Sequence, residues 1–380
     1  MKRVLSIGGV LIAALLLALI PSPLAQSPAP SEPSHAARGI HDPSIIKSGD
    51  TWYVFGSGGR HNGPQLPILC SADLPAPNFS WTRCGSVFPS IPAWILARLP
   101  GVQDLWAPDI SFVDGEYRLY YAFSLLGKNT SGIALATNKT LDRTSPDYAW
   151  TDRGLILESR SGDDFNAIDP NFLRDPQGQD WLVFGSFWTG IKLRRLAPDG
   201  TLSKQDKHTY SLARRTEPPD APYADSSTPA DWQAIEGPFL IHHGSYFYLF
   251  TSWDHCCMGA ASNYRIVVGR SQNIRGPYLD QGGKKLTKGG GTTILSGNTQ
   301  WAGPGGQSIY TFRDGTSLIA FHAYDRTTGT PWLQISPIHW IEDWPQIQFP
   351  DDSSEPSASP EPSKAAANLS HNPTTYTLYP

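Results

Sequence analysis

The chain has 380 residues, 17% of them charged, and a formal net charge of −4 at pH 7. So weak a charge leaves no basic patch of the kind nucleic-acid binding needs. Aromatic residues reach 11%, with 13 Trp, and Gly and Pro number 35 and 34; many rings and many turns point to an all-β protein of short strands, and flat rings with little charge suit a sugar binder.

Lys2 and Arg3 precede an apolar run from Val4 to Ile20, and Pro21-Ser-Pro-Leu-Ala-Gln26 follows. That is the order of a secretory signal peptide, assigned to residues 1–25. A membrane anchor is the alternative, but the run is short for a span and holds Gly8-Gly9. The expectation is a secreted, extracellular protein with no membrane association after cleavage. Residues 26–38 read as a Pro/Ser-rich linker, 39–349 as the globular domain, and 350–380 as a disordered acidic tail.

Within 39–349 five aromatic strands recur: Trp52–Ser57, Tyr117–Ala122, Trp181–Ser186, Tyr246–Thr251 and Ser317–His322. Each follows a polar turn such as Asp114-Gly115 or His243-Gly244, the signature of a hairpin. Ahead of each strand sits a Pro-containing tetrad: His41–Ser44, Ala107–Ile110, Ile168–Asn171, Ile235–Pro238 and Ala302–Gly305. The tetrads recur at intervals of roughly 60–70 residues, a period that with β units means propeller blades. The fold expected is a five-bladed β-propeller; a two-sheet sandwich is the competing architecture. Nothing in the sequence calls for an oligomer, and a monomer is expected.

Cys70 and Cys84 flank a Pro-rich loop and are placed to bridge it; Cys256 and Cys257 are adjacent, either a vicinal disulfide or two separate thiols. Four cysteines without metal spacing suit an oxidising compartment. Sequons stand at Asn78, Asn129, Asn138 and Asn368.

The first strand of each propeller blade lines the central channel, so equivalent positions converge. The tetrads place Asp42, Asp109, Asp169 and Glu236 in one phase, with Gly303 in the fifth. Converging carboxyls drive their pKa values apart, so that one stays protonated as an acid while another acts as a base. That is the requirement of glycoside hydrolysis, and blades 1 and 4 facing each other across a channel suit the wider, inverting arrangement.

Six motifs occur in order: Ile40-His-Asp-Pro-Ser44, Leu105-Trp-Ala-Pro-Asp109, Asn166-Ala-Ile-Asp169, Gly185-Ser-Phe-Trp188, Ala234-Ile-Glu-Gly237 and Gly303-Pro-Gly-Gly-Gln307. Together they resemble glycoside hydrolase family 43, in particular its endo-α-1,5-L-arabinanases, from about Gly39 to about Trp344. The resemblance implies an inverting hydrolase acting on plant cell-wall arabinan in pectin side chains. It implies Asp42 as general base, Glu236 as general acid and Asp169 as the carboxylate that orients the acid and holds its pKa up. It further implies that His322 binds a calcium ion hydrated largely by water. For sugar contacts Trp106, Phe187 and Trp188 are expected as stacking surfaces, with Asn166 and Ser186 as hydrogen-bonding partners. Asp109 is expected to be structural. An exo-acting α-L-arabinofuranosidase or β-xylosidase on the same fold is the alternative, decided by loops such as Pro89–Gly101 and Ala213–Ala230. A non-catalytic sugar-binding propeller is the alternative from outside the enzymes.

Overall fold

The computed structural model describes residues 37–59, 63–72, 81–218 and 229–350. The expected signal peptide, linker and tail lie outside the described residues, apart from Ala37, Arg38 and Pro350. Among the described residues no helix is long and apolar enough to cross a membrane.

Among the described residues, twenty strands form five four-stranded antiparallel sheets, each continuous in sequence. Blade 1 holds β1 (Ser44–Ser48), β2 (Thr51–Phe55), β3 (Gln65–Ser71) and β4 (Thr82–Phe88). A short helix α1 (Ala93–Arg98) leads to blade 2, with β5 (Trp106–Val113), β6 (Glu116–Ser124), β7 (Ser131–Asn138) and β8 (Thr151–Ser159). Blade 3 holds β9 (Asn171–Arg174), β10 (Asp180–Phe184), β11 (Ile191–Arg195) and β12 (Tyr210–Ala213). Blade 4 holds β13 (Ile235–His243), β14 (Tyr246–Trp253), β15 (Arg265–Ser271) and β16 (Thr292–Ser296). Blade 5 holds β17 (Trp301–Thr311), β18 (Ser317–Asp325), β19 (Pro331–Ile341) and β20 (Trp344–Gln346). The innermost strands β1, β5, β9, β13 and β17 touch their neighbours in ring order. The expected five-bladed propeller is thus the fold.

The hairpin turns are those the sequence announces. Asp114 and Gly115, between β5 and β6, both take positive φ (51° and 85°), the type I′ geometry that follows the strand twist.

Side chains alternate along a strand, and here the alternation divides each blade between two cores. On β2, Tyr53 and Phe55 face blade 2, whereas Trp52 and Val54 face blade 5. On β14, Phe247 and Leu249 face blade 3, whereas Tyr248 and Phe250 face blade 5. One apolar cluster therefore fills each of the five seams. With no solvent face, the second strands read as unbroken apolar runs.

The sulfurs of Cys70 and Cys84 pair across β3 and β4, and those of Cys256 and Cys257 pair with each other. Asn129 and Asn138 are buried, which leaves no room for a glycan at those sequons.

The ring closes at the seam between blades 5 and 1. The segment before β1 laps onto blade 5: Arg38 bridges Trp332, and the Gly39 N–H donates to the Pro331 carbonyl at 2.8 Å. Inside the ring, the Ser308 hydroxyl donates to the Pro43 carbonyl at 2.6 Å and accepts the Ile45 N–H at 3.1 Å.

Candidate active site

At the central channel each blade presents a residue with a left-handed backbone, Asp42 (φ 46°), Ala107 (39°), Asp169 (55°), Gly237 (55°) and Gly306 (59°), and blade 5 has a second at Gly303 (54°). The first five line the same cavity. These positions are the equivalent ones, which corrects the phase read from the tetrads. Asp109 stands two residues past its blade's channel position, Glu236 one residue ahead, and Gly303 three ahead. Bulges mark these crossings, with register slips between Trp106 and Asp109, between Glu236 and Phe239, and twice between Ala302 and Ser308. In blades 1 to 4 the channel residue directly precedes a proline (Pro43, Pro108, Pro170 and Pro238), so proline marks the phase and the carboxyls of blades 2 and 4 do not.

Two residues beyond each channel position, a side-chain oxygen latches the next blade. Ser44 accepts the Ile110 N–H at 3.0 Å, Asp109 that of Phe172 at 2.7 Å, Asn171 that of Leu240 at 2.8 Å, and Ser308 that of Ile45. Phe239 stands there in blade 4 and offers no such oxygen. Asp109 also accepts from Asn171 Nδ2 at 3.1 Å. Burial pushes its carboxyl up to about 7 against those two donors. It is a latch, as the sequence reading expected of the odd carboxylate.

The second strands end at the same face and reach forward in four blades. The Ser57 hydroxyl donates to Asp42 Oδ2 at 2.5 Å and accepts the Ala107 N–H at 2.6 Å. Ser186 donates to Glu236 Oε2 at 2.6 Å. Ser252 accepts the Gly306 N–H at 2.9 Å and donates to Gln307 Oε1 at 2.9 Å. His322 Nδ1 accepts the Asp42 N–H at 3.2 Å. Gln307, in the place of a blade's proline, donates from Nε2 to the Gly237 carbonyl at 2.6 Å.

The structure brings Asp42, Asp169 and Glu236 together. Asp169 Oδ2 accepts the Gly237 N–H at 3.0 Å, directly beside Glu236. Burial, then the charges of Glu236 and Asp42, push the Asp169 carboxyl well above its usual range, against the Gly237 amide. Glu236 is also raised, by burial and by Asp42, while donors from Ser186 and Tyr264 oppose the rise. Two carboxyls this close titrate as a pair and keep a proton between them where a solvated pair would have lost both.

His322 is fully buried. Burial and the neighbouring His41, with ring centroids 4.6 Å apart, hold it well below the usual histidine range, so the ring is neutral. Its Nε2 is buried without a hydrogen-bond partner. Among the described residues no group of three or more His, Cys, Asp or Glu is placed to hold a metal ion. With Nδ1 accepting from the Asp42 N–H, Nε2 carries the ring hydrogen; the other tautomer frees its lone pair, and a single such nitrogen fits a cation whose remaining ligands are water.

The expected sugar contacts separate by exposure. Trp106 and Phe187 are half-buried, Phe187 tilted against His255 at 5.9 Å. Trp188 is 8% exposed and its carbonyl accepts from Gln233 Nε2 at 3.0 Å. Asn166 is 4% exposed, its Oδ1 accepting from Ser131 at 2.6 Å. The Ser186 hydroxyl is engaged with Glu236.

Sequence reasoning missed Tyr264, which donates to Glu236 Oε1, and the hydroxyls of Ser57 and Ser252. A signal for the serines was present: Phe55-Gly-Ser57 and Phe184-Gly-Ser186 repeat at the end of a second strand. Tyr264 had none, since it sits outside the repeated tetrads.

Comparison with known proteins agrees with this geometry. The sequence profile of glycosyl hydrolases family 43 matches residues 36–345. An extracellular exo-α-(1→5)-L-arabinofuranosidase of Cellvibrio japonicus is 40% identical over 312 residues, 81% of this chain and 86% of that protein. An extracellular endo-α-(1→5)-L-arabinanase of Bacillus subtilis is 41% identical over 308 residues, 80% of this chain and 87% of that protein. The crystal structure of a Cellvibrio cellulosa α-L-arabinanase complexed with arabinohexaose superposes with a TM-score of 0.75 at 39% identity, over 82% of this chain and 95% of that one.

Proposed function

The chain belongs to glycosyl hydrolase family 43, and from that premise we propose that it is a secreted endo-arabinanase cleaving α-1,5-L-arabinofuranosidic bonds with inversion. The observation that carries the reading is the meeting of three carboxyls: Asp42 and Asp169 line the channel cavity, Asp169 accepts the N–H of Gly237 beside Glu236, and Asp169 and Glu236 both have a raised proton affinity.

Glu236 is the general acid. Its O–H bond breaks as the proton passes to the departing sugar oxygen, which takes the electron pair of the breaking bond to the anomeric carbon. Asp42 is the general base. It takes a proton from the water whose oxygen forms the new bond on the opposite face of the ring. The Ser57 donor fixes which oxygen of Asp42 is free to do so. Asp169 stands against the segment that carries Glu236 and keeps that acid's proton in place at working pH.

A hydrated calcium ion belongs to the same reading. His322 Nε2 would hold such an ion, which would add positive charge near Asp42, whose Oδ1 lies 3.7 Å from His322 Nδ1. Elemental analysis should find calcium in the wild type and lose it in His322→Gln.

The substrate is arabinan, as in the pectin side chains of plant cell walls, and Trp106 and Phe187 are the rings left open to stack on it. Support for endo action is the named activity of the Bacillus relative. The Cellvibrio relative, at nearly the same identity, favours exo action as a second reading. Product analysis on linear 1,5-arabinan separates them. Oligosaccharides of mixed length at early times support endo cleavage, and arabinose alone from the start moves the assignment to exo. The Glu236→Gln protein should bind arabinan and lose turnover by about 10³-fold; normal turnover would remove Glu236 from its role.

A further inference from the structure

Glu236 is held from two sides by hydroxyls of different kinds. Ser186 reaches Oε2 from blade 3 and Tyr264 reaches Oε1 from its own blade. Each carboxyl oxygen has two lone pairs, so either can accept a hydroxyl and still take the proton; the oxygen facing the donor that cannot turn away is the less basic of the two. Which oxygen carries the proton therefore depends on which hydroxyl can yield.

Tyr264 is not free to yield. It is 4% exposed, its backbone N–H is tied to the His255 carbonyl at 3.2 Å, and its ring lies stacked on His322 with centroids 6.1 Å apart. The second glycine of the fifth tetrad makes its seat: a Cβ on Gly305 would fall inside contact distance of Tyr264 Cδ2 and Cε2. The phenol also faces Glu236, Asp169 and Asp42, all acidic, so its proton has acceptors and no competing donor. Ser186 is a short hydroxyl whose hydrogen swings about one bond, so it donates to a carboxylate and accepts from a carboxylic acid with equal ease.

We propose that Tyr264 is the positioning residue of the acid: its hydroxyl pins Oε1 of Glu236 as the proton-free oxygen, leaving Oε2, beside Ser186, to carry the proton to the departing sugar. On this account the glycine-rich fifth tetrad contributes space, because only a residue without a side chain at position 305 admits the ring that pins the acid.

The proposal rests on Glu236 being the acid, and the test separates the two. Tyr264→Phe keeps the ring and removes one donor. The groups facing Glu236, namely Asp42, Asp169, His255 and Ser186, stay in place. On linear 1,5-arabinan, kcat should fall about tenfold with KM retained, as expected for a contact that matters in the proton-transfer step. The alkaline limb of kcat/KM should move to higher pH, because the carboxylate form has lost a hydrogen bond. Gly305→Ala keeps the phenol but displaces its ring, and should reproduce both changes. Unchanged kcat with an unmoved alkaline limb in Tyr264→Phe, or a rise in KM alone, would overturn the proposal. Glu236→Gln, measured alongside, tells which idea fails. If it retains turnover, the acid assignment falls and this proposal with it. If it is inactive while Tyr264→Phe keeps the wild-type limb, the positioning role alone falls.

Discussion

The seam between blades 2 and 3 and the seam between blades 3 and 4 each bury an aspartate that accepts a backbone amide from the next blade. Asp109 takes the Phe172 N–H and Asp169 takes the Gly237 N–H. Burial raises the proton affinity of both. The difference lies in company. Asp109 has only neutral donors, a second from Asn171, and its charge serves to hold a neighbouring strand. Asp169 faces two further carboxyls, Glu236 and Asp42, so its proton is contested. Burial by itself makes a latch; burial among like charges makes a proton store.

Exchanging each aspartate for its amide breaks this comparison most sharply. Asp169→Asn should lower kcat on arabinan by about 10²- to 10³-fold while the protein stays folded. Asp109→Asn should keep kcat within a few-fold. Equal losses in the two variants would mean that the seams do not differ in function.

The next effect is on stability against pH. Burial pushes the Asp109 carboxyl from its ordinary 3.8 up to about 7, so the native state binds the extra proton. Its contribution is fully present below about pH 4 and is lost as pH rises through about 7. Wild type should therefore lose about 2–4 kcal/mol relative to Asp109→Asn across that window, read as Tm against pH. A parallel pair of curves would place the Asp109 charge in solvent contact.

The smallest effect tests whether latches are interchangeable. Ser308→Ala removes an oxygen that serves both the Pro43 carbonyl and the Ile45 amide, and should cost about 1–3 kcal/mol in denaturant unfolding. Ser44→Ala, which strands a single amide, should cost less.

The number of blades and their strand order were legible because hairpin turns and doubly buried second strands leave strong marks in a sequence. So was the set of three carboxyls. The phase was not, since the carboxyls of blades 2 and 4 flank the channel position that Ala107 and Gly237 occupy. Of the hydroxyls that orient Asp42 and Glu236, those of Ser57 and Ser186 close a repeated Phe-Gly-Ser, whereas Tyr264 looks like one more core ring. Their roles depend on which carboxyl lies across the seam, a long-range fact that no local pattern contains. Exposure was equally hidden: Trp106 and Trp188 read alike as rim aromatics, yet Trp188 is buried.

The lap joint of Arg38 and Gly39 on blade 5 places the two ends of the ring at one seam, and the chemistry straddles it. Asp42 belongs to the first blade made and His322 to the last, and the base's own backbone N–H points at that histidine. Five folded blades in an open arc would hold Glu236 and Asp169 together and still leave Asp42 without that contact. On the proposed roles, closing the circle and finishing the base are one event.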